Sequence, residues 1–319
     1  MLENQVVYKK KRNLWATIKM QRALILMSVP LLLYQILFKY VPIYGWAIAF
    51  KNYKPGRSSM WGAPWVGFDN FKKLFTGLIG ESFIRAIVNT LGQSILTLVL
   101  STILAIVLSL LLNEVKNVPF KRVIQNITYM PHFLSWIIVT GIVASALSFP
   151  VSGGFINQIL MSLHIIKDPI MFRANPNYFW GIAAGSHIWK ELGWNTILYI
   201  AAITAIDPTL YEAAEIDGAG RYRKMWNVTL PSIRATIIIL LVMNVGFVLS
   251  AGFEVPYFLG NGQNMIRSET IDVFVLRYGY KNGNYSMAIV AGMFKTLVSI
   301  VLVTAANFIA RRLGQESLI

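Results

Sequence analysis

Residues 86–112 read AIVNTLGQSILTLVLSTILAIVLSLLL, a run without one charged side chain. As an α-helix it extends about 40 Å at ~1.5 Å per residue, more than the ~30 Å of hydrocarbon in a bilayer. A barrel strand would instead alternate apolar and polar side chains over ~10 residues. Lipid offers no hydrogen bonds, so the backbone of such a run must satisfy itself within a helix. Composition agrees. Of 319 residues, 55% are hydrophobic and 13% charged, against about 25% charged in an ordinary soluble domain. The mean hydropathy is +0.55. A soluble enzyme of this size would lack the charge to cover its surface.

Outward from this run lie five more apolar stretches, at 23–50, 123–149, 179–203, 233–251 and 287–310. Each has the length of a membrane-crossing helix. Pro30 and Pro42 predict a kinked first span, and Pro131 a kinked third. The first stretch is too long for a signal-peptide core, and no small-residue cleavage pattern closes it, so it reads as an uncleaved span. The expected fold is an all-α membrane protein with six transmembrane helices. Six spans put both ends on one side. Placing the termini inside gives 15 Lys/Arg in 72 inner residues against 10 in 98 outer ones. That bias predicts cytoplasmic termini. The basic tail 1–22 therefore reads as a topology signal that meets lipid headgroups, not a nucleic-acid site.

Several chemistries are excluded. The chain has no cysteine. Its histidines, His132, His164 and His187, lie far apart, so no metal site is expected. No phosphate-cradling G-x-x-x-x-G-K-[ST] loop, G-x-S-x-G or H-E-x-x-H is present. Any energy source belongs to a partner or to an ion gradient.

The loop between spans four and five, residues 207–231, reads as two short helices. Asp207 suits an N-cap and Pro208 the first helical position. Gly218 suits a left-handed stop, and Pro231 is expected to close the second helix. A helix-Gly-helix in a cytoplasmic loop suggests docking. Here Glu212, Ala213, Ala214, Glu215, Asp217, Gly218 and Ala219, followed by Val228-Thr229-Leu230-Pro231, resemble the EAA loop of ABC-importer permeases. Stretches 38–45, 49–53, 65–71 and 129–136 are similar to the polysaccharide and complex-oligosaccharide branch of sugar permeases, which includes importers of alginate and pectin fragments.

The resemblance implies a type I ABC-importer permease of the bacterial cell membrane, itself not an enzyme. It implies a second, related permease as partner, two ABC ATPase subunits that bind ATP and Mg, and an extracytoplasmic sugar-binding protein that delivers the oligosaccharide. It divides the chain into a cytoplasmic tail (1–22), a first helix with a long outer loop (23–83), a permease core (84–310) with its coupling loop at about 205–233, and a short cytoplasmic tail (311–319). Glu212 is expected to pair with a basic group of the ATPase. Ala213 and Ala214 would allow close approach, Gly218 would set the angle between helices, and Leu230 and Pro231 would anchor the second helix to the membrane. The outer loop 51–83, rich in Trp61, Trp65, Phe68, Phe71 and Phe75, is expected to order partly and meet the binding protein or the second permease.

Ionisable groups inside spans cost at least ~2.5 kcal/mol each and face protein or water. Lys190 and Glu191 fit a polar lining of the sugar path, or packing against the partner permease. Asn195, Asn244, Ser250 and Glu254 offer amide, hydroxyl and carboxylate groups. Trp189, Trp194 and Phe253 offer platforms for sugar faces, or interfacial packing. For His132, packing is favoured over a proton-relay role. Lys295 stays open between the two. A gradient-driven transporter would need no ATPase-docking loop. A glycan-modifying membrane enzyme would need paired carboxylates or a metal constellation, and none is legible.

Overall fold

A computed structural model describes residues 15, 19–149, 154–250 and 252–312. The two charged tails fall largely outside these residues. The described part is helical throughout, its one β-bridge being Lys51 with Trp65.

Helix α1 (Arg22–Gln35) runs on through a wide π-turn (Ile36–Tyr40) and 3-10 turns (Val41–Phe50). Proline explains the change of winding. Pro42 has no N–H, and its ring would strike the carbonyl four residues back. The wider turn just before it, closed by the Val41 N–H on the Ile36 carbonyl, avoids the clash. Pro30 sits inside α1. After a short α2 (Asp69–Leu74) comes α3 (Gly77–Glu114), the predicted second span lengthened at its N-terminal end.

The third stretch departs from the expected kinked span. It forms α4 (Val118–Tyr129), a 3-10 turn (Met130–Phe133) and α5 (Trp136–Ala146), with a 104° bend at the break. Leu134 and Ser135 are extended there, and the Ser135 hydroxyl accepts the Ile138 N–H at 3.4 Å to start α5. At ~1.5 Å per residue α5 is about 16 Å long and does not cross ~30 Å of hydrocarbon alone. Pro131 ends α4 because its ring forbids the next helical turn.

Helix α6 (Phe155–Ser162) leads to α7 (Phe179–Thr204), which packs along α3 over most of its length. Then come α8 (Pro208–Ile216), α9 (Arg221–Lys224) and α10 (Arg234–Val245). Pro231 does not close the second loop helix as expected. A π-turn (Met225–Thr229) precedes it, as one precedes Pro42, and the winding continues through Ser232. The tail of the fifth stretch unwinds after Val245. The chain continues through α11 (Glu254–Leu259), α12 (Met265–Ser268) and α13 (Ile271–Leu276) to α14 (Tyr285–Arg312). Among the described residues three helical segments are long and apolar enough to cross a membrane, and three bent pairs bring the number to six if each pair counts as one crossing.

The main core joins Leu74, Phe83, Leu249, Phe274, Met287 and Val290, all buried. A second core, Phe179, Ala183, Val255 and Leu259, ties α7 to α11. The single turn of α12 and the link to α13, residues 264–271, leave backbone groups that an apolar setting could not satisfy. Polar residues of α3 satisfy them. Asn89 Nδ2 donates to the Ile266 and Glu269 carbonyls, both at 3.0 Å, and Gln93 Nε2 to the Arg267 carbonyl at 3.0 Å. Thr90 Oγ1 accepts the Ile271 N–H at 2.9 Å.

Candidate functional site: a helical elbow and a polar path

The elbow is built by its end residues. Asp207 accepts the Thr209 N–H at 2.9 Å and opens α8. This hydrogen bond holds the Asp207 carboxyl below its ordinary range. At the other end Gly218 takes φ +74°, a left-handed conformation that costs a side chain about 1–2 kcal/mol. The Ala219 N–H reaches the Ala214 carbonyl at 2.8 Å and the Gly218 N–H the Glu215 carbonyl at 3.0 Å. That pair of bonds is the Schellman stop. The helix turns 71° away from the line of α7. Tyr211 Oη lies 3.0 Å from the buried Thr229 Oγ1, which fixes α8 against the π-turn.

On this elbow Glu212, Ala213, Glu215, Asp217, Gly218 and Pro231 are exposed, and Ala214, Ala219 and Leu230 half-buried. The two glutamates part company. Glu215 pairs with Lys224 at 3.1 Å across the Gly218 turn. Among the described residues Glu212 has no ion-pair partner. Ile216 and Tyr222 of the same loop are exposed, and Trp226, also exposed, borders an apolar groove with Leu230 and Leu111. The sequence reading passed over these three, although large apolar side chains in a charged loop were their signal.

The second region is a cavity of about 240 Å3 between α3, α7 and the end of α10. Glu191 and Asn195 of α7 line it, with Asn244 and Ser250, so four of the expected path residues meet there. A smaller cavity of about 50 Å3 holds Glu254 and Gln93 and shares Thr97 and His187 with the first. The structure adds Ser94, Thr97 and Ser101 of α3. They were legible as a polar stripe at helical spacing in an otherwise apolar run. His187, Glu191 and Asn195 likewise repeat every four residues.

Lys190 and Glu191 do pair, at 3.1 Å, although adjacent helical positions diverge by about 100°. Their long side chains converge on the broken third stretch. His132 Nδ1 lies 2.6 Å from Glu191 Oε2, and buried Lys190 donates to the His132 carbonyl. The imidazole stacks on Trp194 at 4.3 Å and 4°. His132 and Trp194 thus clamp the 3-10 turn onto α7, and packing is the role the geometry gives His132. Trp189 points away from the cavity into an apolar groove on the opposite face. Phe253 stacks on Tyr257 at 4.8 Å. Lys295 pairs with Asp272 at 2.6 Å. In the segment 50–71, Phe50, Trp65, Phe68 and Phe71 form one aromatic cluster, and Lys51 holds the carbonyls of Met60 and Trp61.

Hydroxyls, amides and a carboxylate paired with Lys190 and His132 make a lining that can exchange hydrogen bonds with a hydroxyl-rich solute. No group of three metal-ligating side chains occurs among the described residues. Residues 97–316 match the family described as binding-protein-dependent transport system inner membrane component. The chain belongs to that family. Inner membrane components of this kind are non-catalytic transport subunits, and the helices here have the length and apolarity for that membrane.

Among relatives, protein LplB of Bacillus subtilis is 42% identical over 95% of this chain and 93% of its own. The polygalacturonan/rhamnogalacturonan transport system permease protein YteP of the same organism is 41% identical over 98% and 96%. Among solved structures, a chain of a bacterial ABC transporter involved in import of the acidic polysaccharide alginate superposes with a TM-score of 0.85 at 38% identity, covering 94% of this chain and 98% of that one. A chain of the alginate transporter in complex with an alginate pentasaccharide-bound periplasmic protein gives 0.86 at 37%, covering 96% and 99%.

Proposed function

We propose that this inner membrane component is the permease subunit of an ATP-driven importer that takes in oligosaccharides or polysaccharide fragments from an extracytoplasmic binding protein. The observation that carries the reading is full-length likeness to permeases of polysaccharide importers, at about 40% identity and a TM-score of 0.85. Two ATPase subunits bind ATP and Mg, and a second, related permease completes the pore. The chain crosses the membrane six times with both termini in the cytoplasm, which puts α8 on the ATPase side and the loop 51–83 on the side of the binding protein. In this reading α8 sits in an ATPase cleft and Glu212 meets a basic group there. The Gly218 turn passes the motion to α9 and α10. ATP-driven closure of the ATPases then moves α8 and switches the polar cavity between the two sides.

The sugar path runs past His187, Glu191, Asn195, Asn244, Ser250 and Glu254, with Ser94, Thr97 and Ser101 of α3 opposite α7. Lys190 and Trp194 hold the wall. The test is purification from bacterial membranes in mild detergent, with mass spectrometry of what comes along and uptake measured in vesicles. Recovery of a second permease and an ATPase, with uptake that stops on ATP depletion, is the expected result. Uptake that persists without ATP and collapses with the ion gradient would overturn it.

A further inference from the structure

Helix α7 has two different faces. One carries His187, Glu191 and Asn195 into the polar cavity. The opposite face carries Gly181, Gly185 and Trp189 into an apolar groove of about 400 Å3, walled by Val143 and Phe172. A second cavity of about 420 Å3 shares Leu147 and Phe172 with this groove and bears Arg173, Asn261 and Gln263. No atom lies within 4 Å of where a Cβ would stand on Gly181 or Gly185, so the space before them is open. From Tyr178 to Trp189 the helix rises about 16 Å, half of a ~30 Å hydrocarbon layer and hence the depth of one leaflet.

Arg173 stands at the end of this groove away from the elbow. Its backbone is pinned, because Asn261 Nδ2 and Asn264 Nδ2 both donate to its carbonyl at 2.9 Å. Its Nε is buried without an acceptor, and it makes no ion pair with a described residue. Asp168, the nearest acidic residue in sequence, is exposed and unpaired. A buried guanidinium donor without an acceptor is costly, and its planar fork suits a phosphate.

We propose that this groove binds one anionic glycerophospholipid of the leaflet opposite the elbow, with its phosphate on Arg173 and one acyl chain along Gly181, Gly185 and Trp189. A sugar fits the groove poorly. Its lining is apolar but for Ser186, which already donates to the Ile182 carbonyl at 2.7 Å, and the polar tips of Tyr178 and Trp189, so most hydroxyls of a sugar would go unpaired. An apolar helix of another subunit would leave Arg173 without its anion. The site is independent of which solute is carried.

The full chain, purified with whatever subunits accompany it, is loaded with phosphatidylglycerol or phosphatidylcholine and read by native mass spectrometry. Phosphatidylglycerol is expected to be retained over phosphatidylcholine. Arg173→Gln is expected to lower its retention about tenfold, the loss of one charged hydrogen bond. Gly185→Leu, whose Cβ would stand in open space, is expected to remove both lipids while the protein still elutes as one species. Equal retention of the two lipids, or phosphatidylglycerol retention unchanged in Arg173→Gln, would overturn the proposal. So would a photo-crosslinker at position 189 that captures the second permease in place of lipid.

Discussion

Gly218 shows how much one backbone angle carries. Its φ of +74° lets α8 stop and the chain reverse, and nothing crowds its missing Cβ. Strain, not space, is therefore the obstacle to substitution. Gly218→Val should cost the elbow more than ~1 kcal/mol, with ATP-driven uptake falling, whereas Gly218→Asn should keep most of it. Uptake assays on both variants decide this. At the other end, Asp207 gives a pH dependence. Its carboxyl is held below the ordinary value of 3.8 by the Thr209 N–H. A depressed value means that ionised Asp207 stabilises the folded elbow above that pH, and that the contribution fades as pH falls through the lowered value. Amide exchange at 209–212, taken relative to the intrinsic rate, should accelerate on acidification through and below pH 3.8. In Asp207→Ala it should be fast at neutral pH and lose that acid step. An unchanged acid step in the variant would refute the cap.

At the scale of elements, two glutamates that look equivalent in the sequence behave differently. Glu215 is spent on Lys224 across the turn, while Glu212 stands free on the exposed face of α8. An exposed pair contributes about 0–1 kcal/mol. Glu215→Gln should leave ATPase co-purification near that of the parent, while Glu212→Arg should abolish it. Equal loss in both variants would mean that the two share one role. The segment 264–271 depends on α3 in a similarly specific way. Asn89 alone satisfies two carbonyls, and leaving buried carbonyls unpaired costs about 1–3 kcal/mol each. Asn89→Leu should expose 260–271 to proteolysis in detergent, and Ser101→Ala, on the cavity wall of the same helix, should not. The clamp on the broken third stretch is a third case. His132→Ala removes one of two partners of Glu191 and the ring stacked on Trp194. A fall in thermal stability of about 1–3 kcal/mol is expected, and His132→Gln should restore part of it.

For the whole molecule, the membrane is the solvent that the sequence was written for. Charge content, the 86–112 run and the Lys/Arg distribution each follow from that solvent, so an all-helical membrane fold could be read without coordinates. So could the elbow. Its cap, its glycine and its EAA-like residues are local, and local backbone preferences do not need a tertiary partner to act. The breaks were not legible in the same way. Pro131 announced a kink, but the 104° turn also needs Ser135 as a cap and the His132–Glu191–Lys190 contacts to hold it. Those contacts join residues 59 positions apart. The same reason separates Trp189 from Glu191 and Asn195. All lie in one apolar stretch, but α7 presents the first to a groove and the others to a cavity, and only packing against α3 and α5 assigns the faces. Sequence by itself determined which segments must be helical and where the chain must turn, because hydropathy and capping act within a few residues. Tertiary structure alone decided which polar groups meet, because burial at membrane depth forces each one to find a partner that chain order does not specify.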